Sequence, residues 1–425
     1  MNPITAIRDI RQHPLVQLLN RNKGNPRKLI YMEPLWGIPF NLIAPFVTLY
    51  MLQQGITDFY IGIILSVQMV AQVIFGLFGG VITDKLGRKK ATMMGDFFGW
   101  SLACVIWAIS GNFWFFVIAA LLNGFEYLNQ TAWFCLLIED ADPKDMLGLY
   151  TWITIGGLVA VFFAPLSAIF MHQHSLVPVV RVLYVFFAIN MLIKVLITWR
   201  FCKDTKQGEI RRAETKGVPF MKVFAEYRIL IPRIFRNREL IKTIVLRMIL
   251  HITNLVNASF FGIFITQRLQ IQERYLAFFP ILNAVVMLIF LVGIQHKLEH
   301  VKARIPLWVG IFTAVACQVM LILTPNHNIW LVAVYVFMIA TASALIMPRT
   351  DAMVQTAIDP AERARTTSLV ATITIALASP FGIFAGFLSN MDRRFPYMLT
   401  ISLFLIAAIV VKRIKSTNVV NQATS

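Results

Sequence analysis

The stretch Gly80-Val-Ile-Thr-Asp84-Lys85-Leu-Gly87-Arg88-Lys89-Lys90 lies between two long apolar segments and decides the fold class of this 425-residue chain. It places an acid–base pair, a glycine and three consecutive cations in otherwise apolar sequence. A basic cytoplasmic turn explains the last three cations, because cytoplasmic loops of membrane proteins are enriched in Lys and Arg. It does not explain Asp84 or the glycines at positions 80 and 87.

The composition is that of a membrane protein. Apolar residues make up 58% of the chain, charged residues only 14%, and the mean hydropathy is +0.69. Segments of about 20 apolar residues recur, each long enough to cross a bilayer as a helix. We expect an all-α polytopic protein with twelve transmembrane helices in two pseudosymmetric six-helix bundles. The predicted spans 1 to 12 are 29–53, 58–83, 91–111, 113–138, 148–171, 177–199, 241–266, 275–295, 305–324, 329–352, 366–390 and 396–412.

The net charge of +18 does not indicate nucleic-acid binding, because of where the cations lie. With alternate loops assigned to the cytoplasm, 32 of the 39 Lys and Arg residues lie on that side. The positive-inside rule therefore predicts a multi-pass plasma-membrane protein with both termini in the cytoplasm. We expect a lipid bilayer and a small molecule as partners, and no nucleic acid.

An internal repeat predicts the domain organisation. Ala164-Pro165 in span 5 returns as Ser379-Pro380 in span 11, and Pro178 returns as Pro396, at offsets of about 216 residues. Asp142-Pro143 and Asp359-Pro360 repeat in the same way. We expect a cytoplasmic segment 1–28, bundles 29–199 and 241–412, a linker 200–240 and a tail 413–425. Apolar residues at helical spacing in the linker, from Phe220 to Ile234, predict either an amphipathic helix at the membrane surface or a simple tether.

The run from Gly80 to Lys90 resembles the loop between helices 2 and 3 of the major facilitator superfamily, G-x-x-x-D-[RK]-x-G-[RK]-[RK], and fills every defined position. The resemblance implies secondary transport by alternating access, no enzyme activity, no cofactor and a monomer. It also implies a conformational latch in which Asp84 lies at the N-terminus of span 11 and Arg88 pairs with an acid at the end of span 4. The predicted latch residues are Gly80, Asp84, Gly87, Arg88, Glu139 and Asp140.

Polar residues inside the spans predict the transport path, because charges in hydrocarbon cost about 2.5–3.5 kcal/mol each on insertion scales. They follow helical spacing in spans 1, 4, 7 and 10, which line the central cavity in the superfamily. The candidate cavity residues are Trp36, Asn41, Asn123, Glu126, Gln130, Trp133, Arg247, His251, Asn254, Thr341 and Ser343. Glu33 and Lys194 lie near the predicted cytoplasmic interface and are given no function.

Three residues are candidates for proton coupling. Glu126, at the middle of span 4, would exchange protons opposite His251 or Arg247; alternatively, it is a permanently paired structural ion. His251 has an equal alternative role in hydrogen-bonded packing. For Asp96, early in span 3, a structural pair with a cation is favoured over proton transfer.

Span 5 bears on the direction of transport. Ala160-Val-Phe-Phe-Ala164-Pro165-Leu-Ser-Ala168-Ile169 keeps the proline of the G-x-x-x-G-P-x-x-G-G motif of drug:proton antiporters, but not its glycines. The leading hypothesis is proton-coupled export of a small amphipathic compound. The alternatives are uptake of a sugar or other polar nutrient, lipid or glycolipid translocation, and a non-transporting scaffold or sensor.

The sequence contains no G-K-[ST] phosphate loop and no metal-ligand spacing, so we expect neither ATP nor a metal to be used.

Overall fold

The computed structural model of the chain consists of helices joined by turns and loops in the residues that it describes, which are 14–142, 145–217, 231–232, 234–294, 301, 304–356, 358 and 363–413. Ten of its helical stretches are long and apolar enough to cross a membrane. They are Asn25–Gln53, Asp58–Leu86, Arg88–Ile109, Gly148–Met171, Leu176–Phe201, Arg238–Arg268, Arg304–Leu323, Ile329–Val354, Leu369–Met391 and Phe395–Lys412. The predicted all-α, multi-pass architecture is confirmed.

Predicted spans 4 and 8 are the two that these ten stretches do not include. Span 4 is divided into Phe113–Asn123 and Phe125–Ile138. At the division, the Gly124 amide donates to the Leu121 carbonyl, three residues back, at 3.2 Å. Span 8 is a helix over Phe279–Ile289 that continues into a π-helical segment, Phe290–Ile294. Within the described residues, these helices and the ten longer stretches correspond to the twelve predicted spans.

Prolines interrupt three other spans. Pro45 lies in a 3-10 turn of span 1, because a prolyl nitrogen cannot donate a helical hydrogen bond. Pro165 and Pro380, which form the internal repeat, divide spans 5 and 11 at equivalent positions. The helices of the interrupted spans are Asn25–Met32, Pro34–Ile43 and Val47–Gln53, Met146–Val161 and Leu166–Gln173, and Arg363–Ala378 and Pro380–Met391.

The remaining elements complete the described chain. A π-helical segment, Phe97–Leu102, joins Arg88–Asp96 to Ala103–Ile109 in span 3, and another, Phe264–Arg268, extends span 7. Pro14–Arg21 precedes span 1, Lys206–Glu214 follows span 6, and a 3-10 turn, Glu273–Ala277, precedes span 8. The other spans are the helices Asp58–Leu86, Leu176–Phe201, Arg238–Ile263, Arg304–Leu323, Ile329–Thr356 and Phe395–Lys412.

The two halves of the chain share one large buried cluster. Phe46, Phe116 and Phe187 of the first half belong to the same cluster as Phe264 and Tyr397 of the second, and each is at most 2% exposed. Burying a side chain of this size contributes about 1.5–3 kcal/mol. The halves therefore meet across a packed apolar interface.

Spans 2 and 11 cross between the halves with backbone in direct contact. A Cβ atom added at Gly62 would lie 2.5 Å from the Gly382 carbonyl oxygen and 2.9 Å from the Gly386 Cα. One turn along span 2, the Ser66 hydroxyl donates to the Ser379 carbonyl at 2.5 Å and accepts from the Ile383 amide at 2.9 Å. We call this crossing the span 2–span 11 seam. Only glycine allows backbones to approach so closely.

Parts of two predicted features, the amphipathic linker and the Asp142-Pro143 and Asp359-Pro360 repeat, lie outside the described residues. The linker residues 218–230 and 233, which carry most of the amphipathic pattern, are not described, and neither are residues 295–300 of the loop after span 8. Within the described part of the linker, Lys206–Glu214 is a helix whose N-terminus is capped by the Thr205 hydroxyl, which accepts from the Gly208 amide at 2.9 Å.

Candidate functional site

Arg88 is the centre of the charged network on the face that carries residues 84–90, which we call the signature-loop face. Its side chain is 5% exposed. The guanidinium donates to both carboxylate oxygens of Glu139 at 2.9–3.0 Å and to Asp84 at 2.8 Å. Such bidentate, charge-assisted bonds are among the strongest in proteins. The structure therefore places Arg88 beside Glu139, the acid expected at the end of span 4.

Gly87 is required by the conformation of the loop and by a carboxylate packed against it. Its φ is +88°, and an added Cβ would lie 2.0 Å from an Asp204 carboxylate oxygen. Asp204 accepts from the Arg88 amide at 2.9 Å and from the Lys89 amide at 3.4 Å. A carboxylate at the N-terminus of a helix stabilises it, here the first turn of span 3. Sequence analysis missed Asp204, because it lies 116 residues away along the chain.

Asp84 contacts the linker helix as well as Arg88. Its second carboxylate oxygen lies 3.8 Å from Arg211, and its carbonyl accepts from the Thr215 hydroxyl at 3.3 Å. Asp140 accepts from the Lys206 amide at 3.3 Å, whereas a Cβ added at Gly80 would meet no atom within 4 Å. The described contacts therefore fasten Lys206–Glu214 to the signature loop, and Gly80 takes no part in them.

A polar cavity of about 180 Å³ lies within the first half, between spans 1, 3, 4 and 6; we call it the carboxylate cavity. It is lined by Glu33, Trp36, Trp100, Glu126, Asn129, Gln130, Trp133 and Lys194. Four of the predicted cavity residues, Trp36, Glu126, Gln130 and Trp133, come together here. Glu126 has no hydrogen bond or ion pair among the described residues. Its predicted partner Arg247 instead lies 3.4 Å from Asp351.

Asp96 and Lys194 form a buried ion pair beside this cavity. Their oxygen and nitrogen atoms are 3.3 Å apart, and Asp96 also accepts from the Asn129 amide at 2.8 Å. Both side chains are at most 4% exposed. Glu33 interacts electrostatically with both of them. The structure thus brings Glu33 and Lys194, to which sequence analysis gave no function, into the carboxylate cavity.

A second polar cavity, of about 430 Å³, lies between span 1 and spans 7, 8 and 10; we call it the asparagine cavity. Its polar lining consists of Asn41, Asn254, Asn257, Asn283 and Tyr335. Its apolar lining includes Phe261, Phe279, Pro45 and Gly262. Asn41 and Asn254 were predicted from the sequence. Asn257 and Asn283 were missed, although Asn257 follows Asn254 at helical spacing and this was the available signal.

The other predicted cavity residues lie elsewhere. Asn123 is 1% exposed. Its side-chain oxygen accepts from the Gln68 amide at 2.6 Å, and its amide donates to the Gly99 carbonyl at 2.8 Å, so it joins spans 2, 3 and 4. The Thr341 hydroxyl donates to the Phe337 carbonyl of its own helix. Thr341, Ser343, Arg247 and His251 do not line either of the two polar cavities described.

The face opposite the signature loop is held together by polar contacts between the halves. Asp58 is buried; its carboxylate accepts from the Ser389 hydroxyl at 2.6 Å and lies 3.5 Å from Arg393. The Gln53 amide donates to Glu273 nearby. Burial raises the pKa of the Glu273 carboxyl above its ordinary value, while the bond from Gln53 acts in the opposite sense. These contacts and the span 2–span 11 seam close this face.

Two helical halves with polar cavities within and between them have the architecture of a secondary transporter. The model of the Major Facilitator Superfamily matches residues 37–382, which is most of the chain. The chain belongs to that superfamily, whose members are transporters and not enzymes.

Curated relatives match parts of the chain. The uncharacterized MFS-type transporter YqjV of Bacillus subtilis is 28% identical over 132 residues, which are 31% of this chain and 32% of that protein. The multidrug resistance protein MdtG of Escherichia coli is 26% identical over 194 residues, which are 42% of this chain and 44% of that protein. The chain thus spans less than half the length of these relatives.

Solved structures share the fold over nearly the whole chain. The nucleoside transporter NupG has a TM-score of 0.70 at 15% identity, covering 92% of this chain and 98% of that one. The peptide transporter POT, in complex with sulfate, has a TM-score of 0.66 at 15% identity, covering 92% and 94%. The human organic anion transporter MFSD10 has a TM-score of 0.63 at 14% identity, covering 91% and 99%.

Proposed function

We propose that this protein exports a small amphipathic compound in exchange for protons, by alternating access across the plasma membrane with both termini in the cytoplasm. The observation that carries the proposal is Glu126, a carboxylate within a membrane span that lines a cavity without an ion-pair partner among the described residues. A charge in that position costs about 2.5–3.5 kcal/mol on insertion scales, and protonation removes the cost. Glu126 is therefore suited to bind and release a proton during the transport cycle.

The similarity to MdtG supports export over uptake, and the Pro165 break in span 5 agrees with it. Asp96 is less suited to carry the proton, because Lys194 and Asn129 already satisfy one of its oxygens. His251 stands outside the carboxylate cavity, so we give it no part in the proton step.

Replacing Glu126 with glutamine is expected to abolish proton-driven transport while leaving binding of the compound intact. The test uses proteoliposomes and a panel that includes ethidium, a cationic dye, and chloramphenicol, a neutral antibiotic. Antiport predicts accumulation only in vesicles that are acidic inside, because outward proton flow drives the compound inward. Glu209→Gln is the matched control, since Glu209 is exposed on the linker helix.

Each other outcome points to a different conclusion. Accumulation only in vesicles that are alkaline inside would indicate symport, and hence nutrient uptake. Unchanged accumulation in Glu126→Gln would make Glu126 a structural residue.

A fluorescent phospholipid in the same vesicles tests lipid translocation. That alternative is favoured by an apolar cavity of about 750 Å³ between spans 1, 5 and 6, lined by residues such as Leu42, Phe170 and Phe186.

We further propose that the signature-loop network controls the change of state by fastening the linker helix to span 2. Asp84→Asn is expected to slow transport several-fold without unfolding the protein, because it weakens the bonds to Arg88 and Arg211 in a partly exposed site. Initial transport rates and the melting temperature of the purified protein would be compared. Glu209→Gln is the control, since Glu209 is exposed on the same helix and its side chain has no hydrogen bond or ion pair among the described residues. Equal rates for wild type and Asp84→Asn would exclude this role.

A further inference from the structure

The asparagine cavity is separate in chemistry from the carboxylate cavity. Among the described residues, its lining contains no Asp, Glu, Lys or Arg. Its volume of about 430 Å³ is within the range of ligand sites, about 300–1,000 Å³. A charged compound in this cavity would leave water without finding a counter-ion, which is costly. The cavity therefore favours a neutral occupant.

The amides of this cavity have hydrogen-bonding capacity that the protein does not use. Asn254 and Asn283 are exposed and have no hydrogen-bond partner among the described residues. The Asn257 oxygen accepts from the Tyr335 hydroxyl at 2.9 Å and from Gln318 at 3.3 Å, so its orientation is fixed with its amino group left to donate. Each asparagine amide can donate twice and accept twice. A ligand with several hydroxyl or amide groups would find both donors and acceptors.

Aromatic side chains also line the asparagine cavity. Phe261 stacks on Tyr335 with ring centroids 5.5 Å apart and meets Phe279 edge-on at 5.5 Å. An aromatic ring of a ligand would add to this group in offset or edge-on geometry. These rings and the amides together match a compound that has a flat ring at one end and polar groups at the other.

The cavity is also placed where alternating access would open it. Asn41, Ala44 and Pro45 belong to span 1 of the first half, whereas the remaining lining residues come from the second half. The Pro45 carbonyl lies 3.2 Å from the position of a Cβ at Gly262. The two halves thus touch at the cavity wall. Separation of the halves on the face opposite the signature loop would expose it.

We infer that the transported compound is an uncharged aromatic molecule with several hydroxyl or amide groups, and that it binds in the asparagine cavity. Glu126 binds and releases the proton in the carboxylate cavity. This inference rests on the proposed transport function and adds the substrate class to it. The proton and the compound then occupy different sites, one within the first half and one between the two halves, and are coupled through the movement of the halves.

The test is equilibrium binding to the purified full-length protein without a pH gradient. The probes are chloramphenicol and salicin, which are neutral ring compounds with hydroxyl groups, and the cation tetraphenylphosphonium. Wild type is expected to bind at least one neutral probe. The double variant Asn254→Leu/Asn283→Leu is expected to bind it about tenfold or more weakly, because two hydrogen bonds are lost. Asn190→Leu is the matched control, since the Asn190 amide bonds only to the Phe186 carbonyl of its own helix.

Three results would overturn the inference. They are unchanged binding of the neutral probe in the double variant, tighter binding of tetraphenylphosphonium than of either neutral probe, and no binding of neutral probes to folded wild type. Tight cation binding lost in Glu126→Gln would move the compound to the carboxylate cavity and leave proton-coupled export standing. Neutral binding without any proton-driven flux would instead contradict the proposed transport function alone.

Discussion

Gly62→Leu is expected to abolish transport and to hold the protein open on the face opposite the signature loop. The Cβ of any side chain at Gly62 would overlap the Gly382 carbonyl oxygen and the Gly386 Cα of span 11. Helix backbone cannot move away locally, because packed interiors transmit such strain. The two halves would have to separate along the span 2–span 11 seam. Separation would also break the bonds of Ser66 with span 11 and of Asp58 with Ser389.

Two measurements check this expectation. Transport should fall by tenfold or more, and an impermeant maleimide should label a cysteine introduced at Asn41 faster than it does in the otherwise wild-type protein. Gly62→Ala should show a smaller effect of the same sign. An effect that grows with the size of the side chain would indicate that the halves are pushed apart and that the protein is not misfolded. Gly157→Leu makes the same replacement in open space, since a Cβ there would meet no atom within 4 Å. Normal transport by Gly62→Leu would show that closure of the seam is not needed for the cycle.

Local sequence patterns predicted the architecture because each span carries its own signal. Apolar length located the spans, and the spacing of Gly87, Arg88 and Asp84 indicated the family. The repeated prolines, Pro165 and Pro380, mark equivalent breaks in spans 5 and 11. These features depend on neighbouring residues only, so a single sequence is sufficient to find them.

Contacts between distant spans were not accessible in the same way. Helical spacing grouped Asn123 with Glu126, yet the tight turn at Gly124 separates them: Asn123 is buried among spans 2 and 3, and Glu126 lines the carboxylate cavity. The close packing of span 4 on span 2 requires that glycine, since a Cβ would lie 2.6 Å from that of Ala71. Likewise, the pairing of Lys194 with Asp96 joins residues 98 positions apart. Such contacts are set by helix packing, which the linear pattern does not contain.

Lys194→Met is expected to lower the free energy of unfolding by about 3–5 kcal/mol, the typical cost of removing one partner of a buried ion pair. Asp96 would be left buried with only the Asn129 amide as a partner, and Glu33 would lose the favourable interaction with the Lys194 charge. The double variant Asp96→Asn/Lys194→Met should recover most of that stability, since both charges are removed together. Melting temperatures of the purified proteins would measure both effects, with Lys23→Met as the exposed control.

The same double variant separates the two roles that Asp96 can have. If the Asp96–Lys194 pair only supports the wall of the carboxylate cavity, the double variant should be stable and should retain proton-driven transport that still depends on Glu126. If Asp96 carries the proton, the double variant should be equally stable but uncoupled, because asparagine cannot exchange a proton. The buried geometry favours the first result: Lys194 and Asn129 both donate to one Asp96 carboxylate oxygen, and a buried ion pair resists the loss of either charge. A stable, uncoupled double variant would therefore move the proton site from Glu126 to Asp96.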